Sequence, residues 1–161
     1  MDANRTAEDH FRRGREALAA DAGADALGHF RSAHRLEPGN PLYASYYGLA
    51  LGLVERRLDR ALALCREAAK EEFFNPVHYH NLARLHLAFG FKAEAVRYLR
   101  RGLMIDPDND AIGAEIRNLG VRRRPPLAFL RRQNLLNRLV GRVLRVAGHG
   151  QDPTELGAFG V

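Results

Sequence analysis

Small and apolar positions recur along this chain with a period of about 34 residues. In the first copy, Gly14 is followed after 12, 16, 19 and 24 residues by Ala26, Phe30, Ala33 and Pro38. A later copy keeps these intervals, with Ala83, Ala95, Leu99, Gly102 and Pro107. Small residues at such intervals allow two antiparallel helices to approach closely, and the proline ends the second helix of each copy. The pattern therefore predicts stacked helical hairpins.

The copy between these two has the same order of residues, but three of its positions come one residue late. Counted from Gly48, they are Ala61, Cys65 and Ala68. We therefore expect one extra residue in the turn between the two helices of this copy. Because Cys65 occupies a packing position, we predict that it is a small core residue.

Signals for helix starts and ends divide the repeats into elements. Thr6, with Asp9 three residues later, reads as a capping box at the start of the first helix. Asn40-Pro41 and Asn75-Pro76 each read as an N-cap followed by proline at the first helical position. The predicted helices run from the capping box to about residue 20, and then over about 24–36, 41–54, 58–72, 76–89, 92–105 and 110–119.

The spaced residues resemble the tetratricopeptide repeat, a family of helical-hairpin arrays. Phe73-Phe74 departs from its pattern, because it stands where the second unit would end in proline. The resemblance implies an all-α fold, a right-handed α-solenoid of three units with a capping helix. The predicted segments are a lead at 1–6, units at 7–40, 41–75 and 76–109, and the capping helix at 110–120.

In this family the first helix of each unit lines a concave groove that binds partner proteins. The resemblance therefore implies a groove with ten side chains, namely Phe11, Arg15, Leu18, Leu42, Ser45, Leu49, Val77, His80, Arg84 and Leu87. This apolar surface with two arginines suits a peptide or helix that carries apolar side chains and a carboxylate. In the alternative interpretation, part of this stripe is ordinary core between the units.

Some members of the family hold the C-terminal carboxylate of heat-shock chaperones with Lys and Asn pairs. At the corresponding positions this chain has Phe11, Arg15, Tyr46, Val77 and Asn81. Only Arg15 and Asn81 could serve, so we do not expect a receptor for chaperone tails.

Charge is distributed unevenly along the chain, whose net charge is +6. Residues 1–120 contain 17 basic and 17 acidic residues, which cancel. Residues 121–145 contain no acid and eight arginines, namely Arg122, Arg123, Arg124, Arg131, Arg132, Arg138, Arg142 and Arg145. This segment therefore accounts for the basic character of the protein.

The basic segment begins with a Pro-containing linker at 121–134, and an amphipathic helix is predicted at 135–147. Residues 148–161 are rich in glycine and are predicted to be disordered. The apolar side chains that we expect at an interface are Phe129, Leu130, Leu135, Leu136, Leu139, Val140, Val143 and Leu144. Four occupants remain open for this segment: the protein's own repeats, an acidic partner protein, an anionic membrane and, less favoured, a nucleic acid.

Other chemistry finds little support in the sequence. His78, His80 and His86 are spaced by two and six residues, whereas metal ligands on one helix face need three or four. We expect His86 in the core and His80 in the groove. No phosphate loop, nucleophile elbow or carboxylate pair is present, so we expect neither enzymatic activity nor a cofactor.

These observations together predict a non-enzymatic adaptor, with a partner segment in the groove and a basic tail used in assembly. The lone cysteine and the absence of a signal sequence or long apolar run favour a cytoplasmic protein. The excess of arginine over lysine favours a bacterial, GC-rich genome. The alternatives are a secretion-type chaperone and a protein that binds membranes or nucleic acid through residues 121–145.

Overall fold

A computed structural model describes the backbone of residues 3–120 and the side chains of residues 6–120. The predicted linker at 121–134, the amphipathic helix at 135–147 and the tail at 148–161 lie outside the described residues. The described part contains seven helices and no strand: α1 Ala3–Ala19, α2 Gly23–Leu36, α3 Pro41–Val54, α4 Leu58–Glu71, α5 Pro76–Ala88, α6 Lys92–Ile105 and α7 Asp110–Asn118. The all-α prediction is confirmed.

The helices pack as three consecutive hairpins followed by one further helix. α1 pairs with α2, α3 with α4 and α5 with α6, and α7 packs on α6. The hairpins stack because α3 also contacts α2 and α5, and α4 contacts α5. Each unit therefore buries its apolar face against its neighbours, as expected for an α-solenoid.

Close packing between paired helices depends on the small residues of the repeat. A Cβ atom added to Gly48 of α3 would lie 2.9 Å from the backbone oxygen of Ala61 on α4. Ala26 and Ala95, which hold the same repeat position as Ala61 in the other two units, are fully buried. Cys65 is also fully buried, which confirms its prediction as a core residue.

The turn inside each unit has three residues, at 20–22, 55–57 and 89–91. The middle residue of each turn has a left-handed backbone, with φ of 58° at Asp21, 58° at Arg56 and 83° at Gly90. The prediction of an extra residue in the second turn is therefore wrong. Because the turn geometry is the same in all units, the extra residue lengthens α3, which ends six residues after Gly48, whereas α1 ends five after Gly14.

The helices that begin after an asparagine start where the sequence predicted. Asn40 accepts hydrogen bonds from the N–H groups of Leu42 at 3.1 Å and Tyr43 at 3.3 Å, and Asn75 accepts one from Val77 at 3.1 Å. Both N-caps are confirmed, and Asn109 caps α7 in the same way. The capping box at Thr6 is wrong, because α1 begins at Ala3 and passes through Thr6.

Candidate partner-binding groove

The ten side chains predicted for the groove are exposed to different extents. Arg15 on α1 is exposed. Six are half-buried, namely Leu18, Leu42, Val77, His80, Arg84 and Leu87. Phe11, Ser45 and Leu49 are buried. Seven of the ten therefore keep surface that a partner could contact.

Ser45 and Leu49 belong to the core between the units, so their placement in the groove is wrong. Asn81 Nδ2 on α5 donates a hydrogen bond to Ser45 Oγ on α3 at 3.0 Å, and both residues are almost completely inaccessible. Leu49 packs in a cluster that includes Leu82 and Leu85 of α5. The part of α3 around Ser45 and Leu49 that the resemblance assigned to the groove is therefore covered by α5, whereas Leu42 keeps exposed surface.

The sequence of α3 contains a signal for this burial. Its residues from Leu42 to Val54 include no charged side chain, whereas α1 alternates apolar and charged residues. A helix that is apolar all round is typically buried on several faces. Eight of its 14 residues are buried, because α3 packs against α2, α4 and α5.

Phe11 also belongs mainly to the core. Its ring centroid lies 4.8 Å from that of Tyr43, 5.1 Å from that of Tyr46 and 5.8 Å from that of Phe30. Only 8% of Phe11 remains exposed. The aromatic cluster fixes α1 against α2 and α3, so Phe11 positions the first wall of the groove and offers little surface to a partner.

The side chains that meet at the surface form a recess of about 200 Å³. Its lining residues are Arg15, Leu18 and Ala19 of α1, Tyr46 of α3 and Arg84 of α5. All three units therefore contribute to one concavity. Arg15, Leu18 and Arg84 belong to the groove that the resemblance implies. Tyr46 does not, because the resemblance assigns it only to a carboxylate-clamp position.

The two arginines of this recess have no acidic partner among residues 6–120. Arg12, one turn away on α1, forms ion pairs with Asp9 at 3.4 Å and Glu16 at 2.9 Å. Within the described residues, neither Arg15 nor Arg84 has a hydrogen bond or an ion pair, and no carboxylate lines the recess. Two residues of like charge therefore line one concave surface, and such a surface attracts anions.

The side chain of His80 pairs with Glu115 of α7, a contact that the sequence does not predict. Its Nε2 lies 2.5 Å from Glu115 Oε2 on α7, and both side chains are about three-quarters buried. Helical periodicity could not have found this pair, because it does not show which side of the capping helix meets α5. His80 therefore joins α7 to the third unit.

Asn81, one of the two residues that could have served in a carboxylate clamp, is buried in the structure. Asn81 is 2% exposed and donates to Ser45, so it cannot reach a ligand in the groove. Of the two side chains that could have served, only Arg15 remains at the surface.

The other histidines of α5 have separate environments. His78 is fully buried, with Nε2 2.9 Å from Glu72 Oε2. His86 stacks on Tyr98 with ring centroids 5.3 Å apart, and burial lowers its pKa from the usual value. The prediction of His86 as a core residue is confirmed. Residues 6–120 contain no group of three or more His, Cys, Asp or Glu side chains that could hold a metal ion.

Two further observations concern the described part of the chain. The Cys65 thiol donates a hydrogen bond to the Ser45 carbonyl at 3.2 Å, and burial raises its pKa to about 12. None of the helices between Ala3 and Asn118 is both long and apolar enough to cross a membrane.

Comparison with solved structures identifies the arrangement of hairpins. The TPR domain of Arabidopsis OM64 superposes with a TM-score of 0.59 at 18% identity, over 74% of this chain and 98% of that domain. The chain has the tetratricopeptide-repeat fold. The first TPR domain of human RPAP3 gives the same TM-score at 17% identity, over 73% of this chain and 91% of that domain.

Sequence comparison agrees with the tetratricopeptide-repeat fold. The Hsp70-Hsp90 organizing protein of wheat (Triticum aestivum) is 31% identical over 102 residues, which are 63% of this chain. The matched region spans only 17% of that relative's length. No family model matches the chain. The resemblance drawn from the repeat spacing is nevertheless confirmed by the fold.

Proposed function

We propose that this protein is a non-enzymatic adaptor that binds a segment of a partner protein in the groove of its tetratricopeptide repeats. The observation that carries the proposal is the recess between Arg15 and Arg84. Leu18 and Tyr46 line the recess together with these two arginines, for which the described part of the chain offers no ion pair. Such a surface is complementary to a segment with apolar side chains and an anionic group.

A structural neighbour supports a protein ligand for this fold. The first TPR domain of Spaghetti (RPAP3), with a TM-score of 0.57 at 17% identity, was solved bound to the HSP90 peptide SRMEEVD. The superposition covers 73% of this chain and 92% of the RPAP3 domain. Three of the five positions that would form a carboxylate clamp hold Phe11, Tyr46 and Val77, and Asn81 is buried, so only Arg15 could serve. The proposed partner is therefore a segment other than a chaperone tail.

The groove proposal is tested by comparing what full-length protein variants capture from the source cell. Arg84→Glu reverses one charge of the recess and should weaken capture of the partner, with helicity and melting temperature nearly unchanged. Arg13→Glu is the matched control, because Arg13 is exposed on α1 but does not line the recess. Circular dichroism and thermal unfolding show whether each variant is folded. A partner that binds Arg84→Glu as well as wild type does not use this groove.

For residues 121–147 we propose a role in assembly through the apolar face of the predicted helix. This segment lies outside the described residues, and its support is the pattern of apolar and arginine positions. Leu139→Asp should abolish assembly, because a charge would enter an apolar contact. The triple substitution Arg138→Gln, Arg142→Gln and Arg145→Gln should have less effect.

The alternative function for this segment is binding to an anionic membrane or a nucleic acid. Eight arginines without an acid in residues 121–145 favour it. Full-length protein should then bind anionic vesicles or duplex DNA at low salt. Removal of residues 121–161 would abolish that binding, since it lowers the net charge from +6 to 0. Assembly that survives Leu139→Asp but fails in the arginine triple would favour this alternative.

A further inference from the structure

We propose that the recess between Arg15 and Arg84 binds a phosphate monoester, the phosphorylated side chain of a serine or threonine in the partner segment. This inference rests on the proposed function, because it names the anionic group that the groove takes. From the sequence alone, we expect these two arginines to bind a carboxylate of the partner segment. The charge of the recess favours the phosphate.

The charge of the recess matches a phosphate monoester better than a carboxylate. Arg15 and Arg84 both line the recess, and within residues 6–120 no carboxylate lines it and neither arginine has an ion pair. A carboxylate brings one negative charge, so it would leave one guanidinium uncompensated. A phosphate monoester carries a charge of about −1.5 to −2 at pH 7 and matches both.

The N–H donors of Arg15 and Arg84 also suit the oxygens of a phosphate monoester. A guanidinium group donates through a planar fork that suits two oxygens at once. Two such forks, from α1 and α5, would fill all of the roughly four acceptor sites on the two oxygens of a carboxylate. The three terminal oxygens of a phosphate monoester can accept from both forks.

The recess has a size and a lining that suit a phosphorylated side chain. Its volume of about 200 Å³ is enough for a phosphate group and the carbon atoms that attach it to a peptide. Leu18, Ala19 and Tyr46 supply apolar surface beside the arginines. A phosphorylated side chain can therefore place its charge between Arg15 and Arg84 while neighbouring residues of the partner contact the apolar wall.

The inference is tested on the full-length protein labelled with ¹⁵N-arginine, by following the side-chain Nε–H signals of Arg15 and Arg84. The first probe is phosphoserine blocked as the N-acetyl methylamide. Glutamate blocked in the same way serves as the carboxylate probe, and inorganic phosphate is the third. Sodium chloride keeps the ionic strength constant, because exposed charges are screened by salt.

We expect the phosphoserine probe to shift both signals and to bind at least about tenfold more tightly than the glutamate probe. Arg15→Gln and Arg84→Gln should each weaken binding about tenfold or more, and Arg13→Gln should leave it unchanged. Signals from the arginines of residues 121–145 can also respond to phosphate. Their response should be the same in all variants.

Three results would overturn the inference. The signals of Arg15 and Arg84 do not respond, or they respond equally to phosphoserine and glutamate, or inorganic phosphate binds as tightly as blocked phosphoserine. In any of these cases, loss of partner capture in Arg84→Glu would still support the groove as the binding site. Failure of the phosphate assignment is therefore distinguishable from failure of the proposed function.

Discussion

Asn75 joins the end of α4 to the start of α5 through its interaction with Glu72. Its Nδ2 donates a hydrogen bond to Glu72 Oε2 at 2.8 Å, while its Oδ1 accepts one from the N–H of Val77 at 3.1 Å. The same arrangement recurs before α3, with Glu37 and Asn40, and before α7, with Asp106 and Asn109. An acid three residues before an asparagine is therefore the feature that connects each hairpin to the helix that follows it.

Replacing Asn75 should destabilise the array. Asn75→Ala removes the N-cap of α5 and the hydrogen bond from Asn75 to Glu72, and loss of an N-cap costs about 0.5–2 kcal/mol. Urea unfolding followed by circular dichroism measures the change. Asn118→Ala is the control, because Asn118 is an exposed residue at the end of α7. Equal stability of the two variants would show that the Glu72–Asn75 interaction does not hold the turn.

The same substitution should change the titration of Glu72. The hydrogen bond from Asn75, followed by that from His78, lowers the pKa of Glu72 below its usual value. Glu72 therefore contributes stability above the unfolded-state pKa of about 4.3, and this contribution is lost as the pH falls through the folded-state pKa. In Asn75→Ala the pKa of Glu72 should rise, as measured by NMR titration. An unchanged value would contradict the role of Asn75.

The free energy of unfolding should decrease as the pH falls below about 6.5. Burial lowers the pKa of both His34 and His86, so the unfolded chain binds protons at a higher pH than the folded chain. Stability from these groups is complete above the unfolded-state pKa and is lost as the pH falls through the folded-state pKa.

His86→Phe tests the contribution of His86. Phenylalanine keeps an aromatic ring beside Tyr98 but cannot be protonated. The slope of unfolding free energy against pH, between pH 7 and 5, should be smaller in this variant than in wild type. Comparing slopes removes any constant change in stability caused by the substitution. Identical slopes would show that His86 does not contribute to the pH dependence.

Cys65 should be unreactive in the folded protein. Its thiol is fully buried, and burial raises its pKa to about 12, so almost no thiolate is present at neutral pH. Ellman's reagent should modify Cys65 only after unfolding. An Ala93→Cys variant provides the control, because residue 93 is exposed on α6 and its thiol should react at once. Rapid reaction of wild-type protein would place Cys65 outside the core.

The repeat register is tested at Ala95. This residue is fully buried where α6 approaches α5, so a larger side chain must push the helices apart. Ala95→Leu should lower the free energy of unfolding by about 1–3 kcal/mol or more, whereas Ala93→Leu, on the exposed side of the same helix, should change it little. Equal stabilities would contradict the register.

The sequence was sufficient to predict the helices, because their boundaries depend on local signals. The predicted bounds of α3 and α6 match the structure, and Asn40 and Asn75 begin their helices as expected. The error at Thr6 has a physical reason. A capping box is only two residue types at a spacing of three, and such a pair also occurs inside a longer helix.

The groove was only partly predictable, because its surface depends on which helices cover one another. Ser45 and Leu49 lie on the first helix of the second unit, at positions that the resemblance assigns to the groove. In the structure α5 packs over them. The pairing of His80 with Glu115 joins residues 35 positions apart in the sequence. Such contacts depend on the angle between helices, which side-chain spacing does not specify. Arg15 and Arg84 were found because the repeat places them on first helices.

The central claim is that a partner segment lies against α1, α3 and α5, and site-specific photo-crosslinking tests it most directly. Benzoylphenylalanine replaces Ala19, which is exposed and lines the recess, in one full-length variant, and Ala93, which is exposed on α6, in another. Each variant is mixed with the captured partner and irradiated, and covalent products are identified by mass spectrometry. The account predicts a strong crosslink at position 19 and none at position 93. Crosslinking at position 93 alone, or equally at both positions, would contradict it.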